Sequence, residues 1–237
     1  MTKKRNLAII PARSGSKGLK DKNIKLLNNK PLIWYSINSA LKSGIFDTVM
    51  VSTDSPQYAN IAVDCGAEVP FLRSAITAAD NSGSWDVVRE VLNNYERFEN
   101  KEFDTFCLLQ PTSPLRTEQD IIKAYDIFNE KNAKAVVSVC EMEHSPLWCN
   151  ILGQDLSLNG FLSKNNTLPR QSLETYYRIN GAIYIASIEE FLENDNLYTE
   201  NCYAYVMEQR HSVDIDTVDD FEYAEYLIRS YSMYGGI

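Results

Sequence analysis

The sequence is poor in the residues that build metal and disulfide frameworks. Only two of its 237 residues are histidine, His144 and His211, and they form no metal or triad pattern. The five cysteines (Cys65, Cys107, Cys140, Cys149 and Cys202) are scattered, odd in number and lack any C-x-x-C pair. That excludes a zinc knuckle and a disulfide frame, and reads as reduced, buried thiols. Positive charge is also in deficit. The 23 Lys and Arg against 32 Asp and Glu give a net charge of -9, unlike the basic face of a nucleic-acid binder. No apolar run approaches the roughly 18 residues of a membrane span. The basic start Met1–Arg5 leads into an apolar run that ends at Pro11, too short for a signal peptide. A cytoplasmic protein with neither a nucleic-acid nor a membrane partner is expected. No internal repeat or low-complexity segment is visible. Neither the G-x-x-x-x-G-K-[ST] nor the G-x-G-x-x-G phosphate fingerprint occurs.

What remains is an alternation of strand and helix patterns, with 44% hydrophobic residues to build a core. Strand-like runs lie at Leu7–Ile10, Thr48–Ser52, Thr105–Leu109 and Ala135–Val139, with a weaker one at Glu68–Leu72. Helical spacing aligns Leu32, Ile33, Ile37, Ala40 and Leu41, then Val87, Val88, Val91, Leu92 and Tyr95, and later Ile121, Ile122 and Tyr125. Near-continuous apolar strands alternating with helices predict an α/β fold, a Rossmann-like, mostly parallel sheet covered on both faces. After about Glu141 the pattern breaks. Residues 142–177 read as an extended arm, a two-stranded excursion that needs a partner, inserted into a domain of residues 1–141 and 178–237. Ala182–Ala186 returns to strand character. Thr217 with Asp220 is a helix-capping pair before a final amphipathic helix carrying Phe221, Ala224, Leu227 and Ile228 inward.

Four constellations carry chemistry. In Pro11-Ala12-Arg13-Ser14-Gly15-Ser16-Lys17-Gly18, followed by Lys22, glycines allow close backbone approach and cations add charged hydrogen bonds. Such a loop after a first strand suits a polyphosphate; the plain alternative is a βα turn with solvated lysines. Gln110-Pro111-Thr112-Ser113-Pro114 fixes an amide after another strand, where it can read a base or sugar hydroxyl or simply stiffen a crossover. Asp214 and Asp216 stand two apart and can face one Mg²⁺, or serve the helix N-terminus that follows. Arg178 and Asn180 fall on one side of a segment entering a strand, and Arg170 adds a second guanidinium nearby. Ligands of such sheets sit at the carboxyl ends of the strands, which puts these loops and Ser52-Thr53-Asp54 on one rim.

Taken together, these segments resemble the bacterial acylneuraminate cytidylyltransferases, the CMP-sialic acid synthetases, from Ile9-Ile10-Pro11-Ala12-Arg13 to Asp214-Ile215-Asp216. Leu109-Gln110-Pro111-Thr112-Ser113-Pro114-Leu115-Arg116 and Asn180-Gly181-Ala182-Ile183-Tyr184 look like the signature blocks of that family. The resemblance implies transfer of CMP from CTP to the anomeric hydroxyl of a nonulosonic acid, with Mg²⁺ as cofactor. N-acetylneuraminate is the leading acceptor, and Kdn, legionaminic and pseudaminic acid are alternatives. A non-catalytic nucleotide-sugar-binding module is the alternative outside catalysis. Arg13, Ser16 and Lys17 would hold the triphosphate, and Lys22 would sit near the reacting phosphate. Asn23, Arg73, Ser82 and Ser84 would surround the cytidine, and Gln110, Arg178, Asn180 and Tyr184 the sugar. Arg170 would reach the sugar from the partner subunit of a homodimer built through the arm. Asp214 and Asp216 would bind the metal, and Asp216 or a hydroxide would accept the proton, making Arg13, Lys22 and Asp216 the catalytic set. One departure stands out: Trp148 occupies a position where the family commonly has a lysine.

Overall fold

The computed structural model describes residues 4–16, 18–162, 172–194 and 196–234, with side chains as far as 230. Lys17 and Arg170 therefore lie outside the described residues. Its centre is a six-stranded sheet in the order β4-β1-β5-β7-β6-β8. The strands are β1 Asn6–Pro11, β4 Thr48–Ser52, β5 Thr105–Leu108, β6 Ala135–Glu141, β7 Tyr177–Ser187 and β8 Cys202–Met207. A two-stranded ribbon, β2 Leu26–Leu27 and β3 Lys30–Pro31, stands apart. Strand β1 runs parallel to β4 and β5, and β6 parallel to β8, whereas β7 is antiparallel to both β5 and β6. The sheet is thus mixed and mostly parallel, and the central residues of β1 and all of β4 are buried, as a sheet covered on both faces requires.

One face packs α1 Leu32–Ser43, α2 Pro56–Asp64 and α5 Glu118–Glu130 over Ile10, Val51, Val136 and Ile183. The other buries Leu7, Ile9, Phe106 and Leu108 under α4 Ser84–Asn94, with Phe191 of α6 Ile188–Glu193 beside them. A smaller cluster seats α7 Val218–Tyr234, through Phe221 and Ala224, on Leu27, Leu32 and Ile215. Thr217 and Asp220 cap α7 reciprocally: Thr217 N donates to Asp220 Oδ2 at 2.8 Å, and Asp220 N donates to Thr217 Oγ1 at 3.2 Å.

Several sequence expectations are corrected. Glu68–Leu72 forms no strand; Glu68 makes only an isolated bridge to Met50. Leu41 is 47% exposed rather than facing the core. Cys149 is exposed, while Cys107 and Cys140 are buried. His211 is not a plain loop residue. Its Nδ1 lies 3.2 Å from Asp120 Oδ2, and Tyr205 donates to the same carboxylate at 2.9 Å. Residues 142–162 and 172–176 contain no strand and include a 3-10 turn at Pro146–Trp148. The base of the arm is closed where Met142 N donates to Tyr176 O at 2.8 Å. Ile151, Leu156 and Leu158 on it are exposed.

Candidate active site

The loop after β1 is held in shape at four points. Asp54, just past β4, accepts from Ser14 N at 2.8 Å and from Ser14 Oγ at 2.7 Å. Burial opposes the Asp54 charge, but these bonds and Arg73 outweigh it and lower its pKa. Asn23 donates to the Arg13 carbonyl at 3.0 Å from a 3-10 turn at Lys22–Ile24. Tyr58 of α2 donates to Asp21 at 3.0 Å. Finally, a Cβ on Gly18 would lie 2.7 Å from the Asp216 carbonyl oxygen. Only glycine permits that approach, so the loop rests directly on the segment carrying Asp214 and Asp216.

Between them opens a cleft of about 390 Å³. Of the residues singled out in the sequence, Arg13, Ser16, Lys22, Asn23, Arg73, Ser82, Ser84, Gln110 and Asp216 line it. Thr112 of the Gln110–Pro114 segment lines it too, as do Thr77 and Asp80, which no sequence motif marks. Its cations are already engaged. Lys22 Nζ donates to Ile215 O at 2.6 Å and to Asp216 Oδ1 at 3.2 Å. Arg13 Nη1 pairs with Asp80 Oδ1 at 2.8 Å. Arg73 donates to Ser52 Oγ at 3.1 Å and Ser52 O at 2.8 Å, and burial pulls its pKa down to about 10.

Gln110 is set from below by Arg116, which is only 2% exposed. That guanidinium donates to the Gln110 carbonyl at 3.3 Å, to Ala182 O at 2.9 Å and to Ser36 Oγ at 2.5 Å. It staples the end of β5 to β7 and α1, and burial drops its pKa to about 10. The Gln110 side chain lies against Gly181, where a Cβ would stand 3.2 Å from Oε1 and φ is +77°.

Four further residues singled out in the sequence do not line this cleft. Arg178 and Asn180 do share a side, since both reach Ser212: Arg178 Nη2 lies 3.5 Å from its carbonyl, and Asn180 Nδ2 donates to its hydroxyl at 2.9 Å. Arg178 is exposed, whereas Asn180 is 2% exposed. The Asn180 Oδ1 also accepts from Ser138 Oγ at 2.6 Å. The Asn180 amide therefore ties β6 to the acidic segment, a role a sugar contact would have to compete with. Tyr184 packs edge-on against Trp85, ring centroids 5.4 Å apart. Burial, then the charges of Tyr198 and Asp214, push its pKa up to about 12. Asp214 is half-buried, and its Oδ1 has no hydrogen-bond partner. Burial raises its pKa and Asp216 adds to this, against a hydrogen bond with Thr112 and the charges of Lys22 and Arg178.

The profile of the cytidylyltransferase family matches residues 7–234. This chain belongs to that family. It is 40% identical to the CMP-N,N'-diacetyllegionaminic acid synthase of Legionella pneumophila, over 94% of this chain and 96% of that one. It is 38% identical to the N-acylneuraminate cytidylyltransferase of Streptococcus agalactiae serotype V over 91% of its own length, but spans only 51% of that protein. The pseudaminic acid cytidylyltransferase of Campylobacter jejuni serotype O:2 is 33% identical over 95% of this chain and 97% of its own. The same fold occurs in a CMP:2-keto-3-deoxy-manno-octonic acid synthetase complexed with CTP, at TM-score 0.70 and 17% identity, covering 95% of this chain and 99% of that one. In this member of the family the cleft lies at the carboxyl ends of β1 and β5, where open α/β sheets bind ligands.

Proposed function

We infer that this chain transfers CMP from CTP to the anomeric hydroxyl of a nonulosonic acid and releases pyrophosphate. One observation carries the reading. Lys22, on the phosphate loop, reaches Asp216 across the cleft, so a cation for phosphate and an acid for metal meet at one point. Arg13, Ser16 and Lys17 would take the triphosphate. Asn23, Arg73, Ser82 and Ser84 would enclose the cytidine, and Gln110, Arg178 and Tyr184 would face the sugar acid. Asn180 acts there through Ser212 rather than by contact.

The sugar oxygen would bond to the α-phosphorus as the bond to the bridging oxygen of pyrophosphate breaks, and its proton would pass to Asp216 or to hydroxide. Such transfer depends on positioning and charge neutralisation, which Arg13 and Lys22 would supply. The donor set suits Mg²⁺: Asp214 offers a buried oxygen without a partner, and the Asp216 side chain is 76% exposed beside it. Among the described residues no group of three or more His, Cys, Asp and Glu side chains is placed to hold a metal. Mg²⁺ held by two carboxylates and substrate phosphates needs none. When bound, it would offset charge on the α-phosphate and on the leaving pyrophosphate.

N-acetylneuraminate is the first acceptor to try. Diacetyllegionaminic acid is the second reading, favoured by the end-to-end match to its synthase and by Trp148, which cannot replace a cation. No helix among the described residues is long and apolar enough to cross a membrane. The exposed Ile151, Leu156 and Leu158 support the homodimer; a monomer in sedimentation at micromolar concentration would remove the role given to Arg170. Pyrophosphate release from CTP and Mg²⁺ with a free nine-carbon 2-keto acid, but not with sugar 1-phosphates, is the expected result. CTP binding without release would make the chain a binding module instead.

A further inference from the structure

Arg13, given above to the triphosphate, already has an anion. Its Nη1 lies 2.8 Å from Asp80 Oδ1 and 3.4 Å from the Ala78 carbonyl. The carboxylate does not come from a neighbouring turn but from the stretch between α3 Ala75–Ala78 and α4. That stretch is tied to α4 on both sides of Asp80. Before it, Ser74 N donates to Glu90 Oε1 at 2.8 Å, and the Thr77 hydroxyl donates to the same carboxylate. After it, Gly83 N donates to Asp86 Oδ2 of α4 at 2.9 Å, and the stretch itself turns where Ser82 N donates to Ala79 O at 3.1 Å. The backbone thus presents Asp80 to the cleft at a fixed place, beside Ser82 and Ser84. Across the cleft Lys22 has a matching partner in Asp216. Asp216 would turn to a metal once a nucleotide arrives, whereas Asp80 stands on the guanidinium itself, Nη1 of Arg13 2.8 Å from its Oδ1.

We propose that Asp80 is a charge-selective latch, a specificity-determining residue whose carboxylate holds the guanidinium that a nucleotide's phosphates must take. The inference rests on the reading that the cleft binds a nucleoside triphosphate. A ligand must then carry enough phosphate charge to displace the carboxylate. Cytidine, which carries none, gains nothing from opening the pair. Both side chains are partly open to water, Arg13 at 31% and Asp80 at 51%, so the competition is modest. Exposed pairs of this kind shift an equilibrium by about two- to fivefold.

Calorimetric titration of the wild type and Asp80→Asn with CTP, cytidine and inorganic tripolyphosphate tests it. Asp80→Asn should bind CTP and tripolyphosphate about two- to fivefold more tightly and cytidine unchanged. The gap should narrow as salt rises and screens the pair. Asp80→Ser, which removes the same charge with a different side chain, must give the same shift and decides the matter if the asparagine variant folds poorly. Weaker CTP binding in both variants would overturn the latch and make Asp80 a direct nucleotide contact. An equal shift for cytidine would overturn it too, as would no tripolyphosphate binding to any of the proteins. Tripolyphosphate bound without CTP would count against the CTP reading and leave the latch standing.

Discussion

Replacing Lys22 by methionine separates chemistry from folding. The ammonium sits 2.6 Å from the Ile215 carbonyl and 3.2 Å from Asp216, and its side chain is 13% exposed. Methionine keeps the apolar stem in place. The lost ion pair is small because Asp216 is 76% exposed; such a pair contributes up to about 1 kcal/mol. The lost hydrogen bond to a carbonyl adds about 1 kcal/mol more. A melting temperature lower by roughly 2–8 °C follows for a chain of this size, with the fold intact. Turnover should suffer far more. Removing one preorganised group aimed at developing charge costs about 10²–10³ in kcat. Pyrophosphate release at saturating CTP and acceptor, beside a circular dichroism melt, reads both quantities. A well-folded Lys22→Met turning over within about threefold of the wild type would refute the assignment of Lys22 to the reacting phosphate.

Asp214→Asn should melt higher than the wild type in chelator, because a half-buried carboxylate whose Oδ1 lacks a partner is costly to keep ionised. The same variant should lose the Mg²⁺-dependent rise in melting temperature, and an undiminished rise would exclude Asp214 as a ligand. Asp120 is buried, yet bonds from His211 and Thr117 outweigh that burial and lower its pKa from 3.8 to about 2. Its folded pKa is depressed, so its contribution, about 2 kcal/mol, is present above pH 4 and lost as pH falls toward 2. Asp120→Asn should be less stable at neutral pH and show a flatter acid limb in denaturant titrations between those values; an unchanged limb would sink the attribution. Gly181→Ala places a side chain at φ +77° and 3.2 Å from Gln110 Oε1. A stability loss of about 1 kcal/mol with a raised KM for the sugar acid is expected, and an unchanged KM would detach Gln110 from the acceptor.

The sequence displays most of the fold because apolar runs flanked by turn residues survive in any context. Strand β4 matches its expected bounds, and β1, β5 and β6 differ only at their ends. Strand β8 lies at the sheet edge and goes unread although Ala204 to Met207 alternate exposed and buried, because apolar residues fill both its faces and hide the period. The places of the loop after β1, Gln110 and Asp216 at one cleft are legible from residue type and position in the strand order. Depth is not. Alternation put Arg178 and Asn180 on one side but left unseen that Asn180 is buried and bonded to Ser138 and Ser212. The signal was there, since a lone serine in Val136-Val137-Ser138-Val139 requires a buried partner. Asp80 carries no such signal. Its partner Arg13 is 67 residues away, and Ala79-Asp80-Asn81-Ser82-Gly83 reads as an ordinary loop.

The central claim, that CMP itself is transferred to a keto sugar acid, is tested most directly by phosphorus NMR and mass spectrometry of the product. CTP, Mg²⁺ and a panel of N-acetylneuraminate, Kdn, diacetyllegionaminic and pseudaminic acids should give one phosphodiester joining CMP to the anomeric carbon of at least one acid, with pyrophosphate in equal amount. CTP left intact with every acid, or cleaved to free CMP with no sugar ester, would contradict it.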